Sequence, residues 1–377
     1  MDNAVKSRAY SVDVLKGLII IAIVFLHIIF STHDDAGSPG IPIQAMYLGL
    51  MAFFLLSGYF YRPDRGFVSN MKKRVNQLFI ALAVCSVILP ILLYAWLAVL
   101  GQAQGLDDYI LALQWGFGMN EVFMPLGSPK VYPLCGSAVG YYFLWAMLIA
   151  FIILYALADH IVKDNKRLAV TIIALLIIAA LIAEFGRYRL PFFAELAPLA
   201  AAFMFAGAGL AKFGLVEKIE EFSWKDGRYW LPLVASLAIA AVMLFIFPPG
   251  INFDILILGQ YGGLSTFPYF IESICMFVVF LYLCNLLSKI PGLVILLTEC
   301  GKHTLGILLY HGFVASFIMA VICPLTDQSW FPADLTLMQR LPIAFATLII
   351  CYVICRFGPV LIGKIKAKKD KGSPESS

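Results

Sequence analysis

Apolar residues in this chain are gathered into blocks of about twenty residues, separated by short polar breaks. A helix that rises about 1.5 Å per residue needs about that length to cross the hydrocarbon core of a bilayer. Because hydrocarbon offers no hydrogen-bond partner to backbone groups, each block must form a helix. The blocks predict an all-α, polytopic transmembrane helical bundle of about ten helices, with spans near 14–32, 42–61, 75–100, 138–158, 168–185, 191–211, 229–247, 265–287, 303–323 and 341–362.

The placement of basic residues predicts the orientation of the bundle. With the N-terminus inside, 23 of the 27 lysines and arginines fall in cytoplasmic segments, and four fall outside, namely Lys130, Arg187, Arg189 and Arg340. This asymmetry follows the positive-inside rule and requires an even number of helices, so both termini are predicted to be cytoplasmic. The net charge of +4 is then explained by loops that face anionic lipid headgroups. It gives no indication of a nucleic-acid partner.

Most connections between the apolar blocks are short, which predicts a single transmembrane domain over residues 1–365. The basic end of the chain, residues 366–377, is predicted to be a disordered cytoplasmic tail. The first apolar run is too long for a cleavable signal peptide, so its helix is expected to stay in the protein. The longest outward loop, residues 101–137, contains the sequence DDYILALQWGF. We interpret it as a short interfacial helix that either covers a cavity or lies on the headgroups.

The first span carries the most informative polar residues. Asp13 and Lys16 lie at its cytoplasmic entrance, and His27 lies deep within it. Eleven residues make about three helical turns, so Lys16 and His27 share one face about 16 Å apart. A titratable group inside hydrocarbon is costly and is a candidate functional residue. His27 is either a general base, with Lys16 meeting an anionic ligand, or a buried histidine that bonds another helix.

A basic cluster follows the second span, which ends in FFLLSGYFYRP. Its members include Arg62, Arg65 and Arg74, and it suits either lipid headgroups or a phosphorylated cytoplasmic donor. Ser57 within the same span lacks the surroundings of a nucleophilic serine, so we interpret it and Gly58 as packing residues.

Two further spans contain candidate residues. The ninth begins in GKHTLGILLYH, with His303 at its inner end and Tyr310 and His311 deeper. His303 and His311 are about 80° apart on a helix, which argues against a shared metal site. His311 is expected to orient a substrate or a neighbouring helix. Glu272 in the eighth span is expected to pair with a histidine or to bind sugar hydroxyls.

The order YSVDVLKGLIIIAIVFLH, FFLLSGYFYRP and GKHTLGILLYH resembles the acyltransferase-3 family of membrane O-acyltransferases, which act on surface glycans. The resemblance implies transfer of an acyl group, commonly acetyl from acetyl-CoA, to a hydroxyl of a glycan or glycolipid at the inner (plasma) membrane. It assigns His27 as the essential histidine, Lys16 as its basic partner where arginine is commoner, and Asp13 as the acidic position before it. Tyr142 departs from the family pattern, which has tryptophan there.

The expected partners are therefore membrane lipids, an acyl-CoA co-substrate and a glycan or glycolipid acceptor, with no bound cofactor and no metal. Lys16, Arg62, Arg65 and Arg74 are the expected donor-binding residues, and Glu272, Tyr310 and His311 are expected to bind the acceptor or support the site. His27 and Asp13 are the expected catalytic residues. An alternative function is export of a polysaccharide or lipid-linked glycan without acyl chemistry. The sequence does not predict the oligomeric state.

Overall fold

A computed structural model describes residues 10–29, 49–63, 66–101, 105–119, 141–186, 188–221, 227, 230–246, 259, 261–325 and 335–371. These residues form helices and no strand, which confirms the all-α prediction. In chain order the helices are α1 (Tyr10–Ile29), α2 (Ala52–Tyr59), α3 (Gly66–Arg74), α4 (Ile80–Val99), α5 (Leu106–Gly116), α6 (Tyr141–Ile161), α7 (Asn165–Phe185), α8 (Ala197–Lys212), α9 (Leu215–Glu220), α10 (Trp230–Ile246), α11 (Thr266–Leu287), α12 (Leu293–Lys302), α13 (Thr304–Leu325) and α14 (Leu337–Lys371).

Eight helical stretches within the described residues are long and apolar enough to cross a bilayer. One of them joins α3 to α4 through a π-helical turn, Val75–Phe79. The other two predicted spans coincide with shorter helices, α2 and α10. The chain is thus a multi-pass membrane protein, whereas its orientation and the count of ten remain predictions. The division into residues 1–365 and 366–377 also remains a prediction; α14 continues to Lys371, and residues 372–377 lie outside the described part.

Two glycines allow α1 and α12 to touch through their backbones. A methyl group at Gly17 of α1 would lie 1.9 Å from the carbonyl oxygen of Leu297, and one at Gly301 would lie 2.0 Å from that of Asp13. Such distances leave no room for a side chain, so α1 and α12 pack at closest approach along the Lys16 end of α1. Small residues favour this kind of helix contact in membranes.

The packing interpretation of Ser57 and Gly58 agrees with their contacts. A methyl group at Gly58 would lie 1.7 Å from the carbonyl oxygen of Met204 in α8. The Ser57 hydroxyl donates a hydrogen bond of 2.7 Å to the Phe53 carbonyl one turn earlier. Gly58 therefore lets α2 pack closely on α8, and the Ser57 hydroxyl bonds within α2, where the residue also lines a cavity.

Helix α5 forms within the long loop that follows α4 and returns into the bundle beside α4. Ala112 is buried against Leu93 and Leu97, and the Gly116 carbonyl accepts hydrogen bonds from the Ser86 hydroxyl at 2.7 Å and the Trp145 indole at 2.9 Å. Ser86 lies about 20 Å from Val99, the residue at which α4 ends, so the contact with Gly116 is far from that end of the helix. Helix α5 therefore packs inside the protein instead of lying on the headgroups. Whether this loop covers a cavity stays a prediction, because residues 120–140 lie outside the described part.

Candidate functional site

Two histidines from opposite parts of the chain meet inside the bundle. His27 Nδ1 lies 2.8 Å from His311 Nε2, and the two rings are nearly parallel, with centroids 5.0 Å apart and an angle of 14°. His311 is fully buried, whereas His27 is partly exposed. We call these residues the histidine pair.

The hydrogen bonds of His311 fix the direction of the hydrogen bond within the pair. His311 Nδ1 lies 2.8 Å from the Leu308 carbonyl oxygen, which can only accept, so Nδ1 carries the proton. In a neutral His311 the other nitrogen, Nε2, is then an acceptor, and His27 Nδ1 must donate to it. A neutral His27 is therefore left with an unprotonated Nε2, the nitrogen that a general base uses.

The C-terminal end of α1 is fixed by the first turn of α14. Arg340 is buried and donates from Nη1 to the Ile29 carbonyl oxygen at 2.7 Å and from Nε to the Leu335 carbonyl oxygen at 2.7 Å. A cation at the C-terminal end of a helix also interacts favourably with the helix dipole. Because Ile29 is two residues beyond His27, Arg340 restrains the helix turn that carries the histidine.

A cavity of about 570 Å³ approaches the histidine pair from the Lys16 end of α1. Its walls come from α1, α2, α3, α6, α12 and α13, and from the π-helical turn. Leu308 lines the cavity, and the carbonyl of that same residue is hydrogen bonded to His311. The cavity therefore ends one helical turn from the histidine pair.

Basic side chains from three separate helices line this cavity, namely Lys16, Arg74 and Lys302. The described lining includes no acidic side chain. Such a combination attracts an anion, and phosphate groups are the common ligands of clustered lysine and arginine side chains. We call this part of the cavity the cation cluster.

Arg74 is held by aromatic neighbours. Its Nε donates a hydrogen bond of 2.9 Å to the Tyr155 hydroxyl, and its guanidinium group lies 4.4 Å from the centre of the Phe151 ring. Within the described residues, no carboxylate forms an ion pair with Arg74. An arginine fixed through Nε keeps its two terminal nitrogens for bidentate recognition of an oxyanion.

Lys16 is placed by Asp13 and Phe60. Lys16 Nζ lies 3.9 Å from an Asp13 carboxylate oxygen and 5.8 Å from the centre of the Phe60 ring. Fourteen residues separate Asp13 from His27, a rise of about 21 Å along α1. Asp13 therefore contacts Lys16 and lies far from His27. This position differs from the one expected of a catalytic residue that acts together with His27.

The other predicted site residues are dispersed. Arg62 is exposed and does not line the cavity, and Arg65 lies outside the described residues. Tyr310 is partly buried against the main hydrophobic core. Glu272 is buried, and its Oε1 has no hydrogen-bond partner, so the expected pairing of this carboxylate with a histidine is not observed among the described residues.

Two further buried hydroxyls lie beside Glu272 on α11. Tyr269 lies three residues before Glu272 and four residues before Ser273, so its side chain neighbours both of them on the helix surface. The Tyr269 and Ser273 hydroxyls interact with each other, but neither makes a hydrogen bond of standard geometry within the described structure. Buried polar groups without partners are rare and call for an explanation.

Sequence reasoning missed the histidine pair and the role of Lys302. Both histidines were singled out separately, but nothing in the local pattern connects residues that are 284 positions apart. Lys302 was counted only as a cytoplasmic cation. The signal that was present is the neighbouring Gly301, which lets α12 approach α1 closely enough for Lys302 to join the cavity. Among the described residues, no group of three potential metal ligands is found.

A comparison with known protein families matches residues 9–356 to the acyltransferase domain of the acyltransferase-3 family. The match covers nearly the whole chain, so this protein belongs to that family and is a membrane acyltransferase. No curated protein and no solved structure matches the chain.

Proposed function

We propose that this protein transfers an acyl group, most commonly acetyl from acetyl-CoA, to a hydroxyl of a glycan or glycolipid in the inner (plasma) membrane, with His27 as the general base. The observation that carries the proposal is the histidine pair one helical turn beyond Leu308, which lines the cavity that contains the cation cluster. A candidate base thus lies close to a binding place for a phosphorylated donor.

The cation cluster supports the donor half of the proposal. Coenzyme A carries several phosphates, and Lys16 and Arg74 supply the positive charge to hold them. Lys16 and His27 are separated by about 16 Å along α1. A long donor can therefore place its phosphates at the cation cluster while its thioester reaches towards the histidine pair.

The histidine pair supports the chemical half. His27 Nε2 accepts the proton of the acceptor hydroxyl as the oxygen attacks the thioester carbonyl carbon. A carbon–oxygen bond forms, the carbon–sulfur bond breaks, and the proton passes from His27 to the departing sulfur. His311 keeps the His27 ring in the required orientation throughout and accepts the hydrogen bond from the charged imidazolium.

Glu272 is the residue that we assign to the acceptor. His311 is less suited to this role, because both of its ring nitrogens are already engaged. His311 therefore acts through His27 and is a positioning residue in this proposal. Glu272 retains a buried carboxylate oxygen without a partner, which suits a hydroxyl of the acceptor. Tyr310 borders His311 in sequence and has a supporting role.

The test is acyl transfer by purified protein from radiolabelled acetyl-CoA to a panel of glycans and glycolipids. The variants are His27→Ala, Lys16→Ala and, as a matched control, His160→Ala at the exposed end of α6. We expect His27→Ala to reduce the rate by about a hundredfold or more, as loss of a general base does. Lys16→Ala is expected to raise KM for acetyl-CoA, and the control is expected to leave both constants unchanged.

Unaltered transfer by His27→Ala would overturn the proposed mechanism. The same protein in liposomes distinguishes the exporter alternative. Movement of a glycan across the membrane without acetyl-CoA, retained by His27→Ala, would favour export over acyl transfer.

A further inference from the structure

We propose that Lys302 binds the ribose phosphate of the coenzyme A donor at the mouth of the cavity and so distinguishes coenzyme A from dephospho-coenzyme A. The inference rests on the proposed function, because it takes an acyl-CoA as the occupant of the cavity. It adds a binding residue that the sequence did not suggest and names the group that this residue contacts.

Lys302 lies at one end of the stretch of α12 and α13 that lines the cavity. It is the last residue of α12, and the cavity continues from it past Thr304 to Leu308. From Thr304 to Leu308 the cavity follows α13 for four residues, a rise of about 6 Å. The thioester must lie at the Leu308 end to meet the histidine pair. The nucleotide end of the donor, which carries the ribose phosphate, then lies at the Lys302 end.

Helix α12 is held closely against α1. Because Gly301 packs on the Asp13 carbonyl and lies close to the Gly17 amide, the backbone position of Lys302 is set by a rigid contact. Lys302 and Lys16 consequently stand on adjoining elements of one cavity wall. A lysine on such a backbone keeps a flexible side chain, which suits contact with a terminal phosphate as a point charge.

Lys302 is one of several partners of Glu299. Lys302 Nζ lies 2.5 Å from one carboxylate oxygen of Glu299, and the other oxygen lies 3.5 Å from Arg356 Nη1 and 3.4 Å from the Tyr352 hydroxyl. The hydrogen bond from Lys302 lowers the pKa of the Glu299 carboxyl, so this group is charged at neutral pH. If Lys302 turns towards a phosphate, Arg356 and Tyr352 still accompany Glu299. The movement therefore leaves no carboxylate without a partner.

The proposal is tested by the binding of two ligands to purified protein in detergent, coenzyme A and dephospho-coenzyme A. The latter lacks only the ribose phosphate. The proteins are wild type, Lys302→Ala, Lys302→Gln and the control Lys289→Ala, an exposed lysine that does not line the cavity. Equilibrium titration gives Kd for each pair, and thermal unfolding confirms that each variant is folded.

We expect wild type to bind coenzyme A about tenfold more tightly than dephospho-coenzyme A, which corresponds to one partly exposed charge-assisted contact. Both Lys302 variants are expected to weaken binding of coenzyme A by about the same factor and to leave binding of dephospho-coenzyme A unchanged, so that the preference disappears. Lys289→Ala is expected to retain it.

An equal loss for both ligands would overturn the proposal, because Lys302 would then act as a general attractive charge. No loss for either ligand, or a wild type that does not distinguish them, would overturn it as well. These binding outcomes can be distinguished from a failure of the proposed function, which is measured by acyl transfer. A protein that shows the expected binding pattern but transfers no acetyl group would refute acyl transfer from this donor while the assignment of Lys302 stands.

Discussion

The two ends of α1 carry the two halves of the site, and they are built in different ways. At the His27 end, the ring is oriented by His311, and the Ile29 carbonyl is bound by the buried Arg340. At the Lys16 end, the lysine is partly exposed and lies 3.9 Å from an Asp13 carboxylate oxygen. The His27 end is defined by short hydrogen bonds to the buried His311 and Arg340, and the Lys16 end by long side chains around a cavity.

This difference matches what the proposed function requires of each half. A general base works only with the correct nitrogen directed at the proton it removes, so a small misplacement is costly. A polyanion is attracted by several cations at once, and each contact in partly exposed surroundings is modest. Changes at the histidine pair should therefore lower kcat steeply, whereas changes at the cation cluster should raise KM by smaller factors.

The largest effect should come from His311→Ala, which removes the acceptor of the His27 Nδ1 hydrogen bond. We expect kcat to fall by about a hundredfold with little change in KM for the donor, because the orientation of the base is lost. His311→Gln should recover part of the rate through its side-chain carbonyl. His303→Ala, a change at the boundary between α12 and α13, is the control. Equal rates for His311→Ala and wild type would contradict the claim that His311 orients His27.

The next largest effect is expected at the backbone contact between α1 and α12, which line the cavity together. Gly301→Ala places a methyl group 2.0 Å from the Asp13 carbonyl oxygen, and we expect it to destabilise the protein by about 1–3 kcal/mol. Thermal unfolding in detergent measures the change. Gly358→Ala is the matched control, because a methyl group there meets nothing within 4 Å. Similar stability of the two variants would contradict the closeness of the α1–α12 contact.

A smaller effect is expected from Arg74→Ala at the cation cluster. KM for acetyl-CoA should rise about tenfold with kcat nearly unchanged, since the variant removes a guanidinium that pairs with no carboxylate of the described helices. Arg74→Lys should restore only part of the affinity because it loses the planar fork. Arg167→Ala, which removes an exposed cation outside the cavity, is the control. A fall in kcat alone would indicate that Arg74 takes part in catalysis, and would contradict the assignment of donor binding to the Lys16 end and catalysis to the His27 end.

The smallest effect should come from Asp13→Asn. Because Asp13 holds Lys16 at 3.9 Å and the lysine is partly exposed, we expect KM for acetyl-CoA to change by no more than about threefold. Glu221→Gln provides a control at an exposed carboxylate. A loss of kcat as large as that of His27→Ala would instead support a catalytic role for Asp13.

Much of the fold could be predicted from the sequence. In hydrocarbon each helix must satisfy its own backbone, so the length of an apolar block is enough to predict a span. This reasoning anticipated the two helices on either side of Gly186 and the helix at DDYILALQWGF. It did not anticipate that α5 returns beside α4, because that placement depends on Gly116 contacting Ser86 and Trp145.

The sequence by itself determined that this chain crosses a membrane many times and that α1 carries a histidine and a lysine on one face, since both follow from local spacing and the cost of polar groups in lipid. Only the tertiary structure decided which groups act together. It joined His27 to His311, turned Lys302 towards the cavity of Lys16 and Arg74, and left Glu272 without a histidine. These contacts depend on helix packing between distant segments, for which local periodicity carries no information.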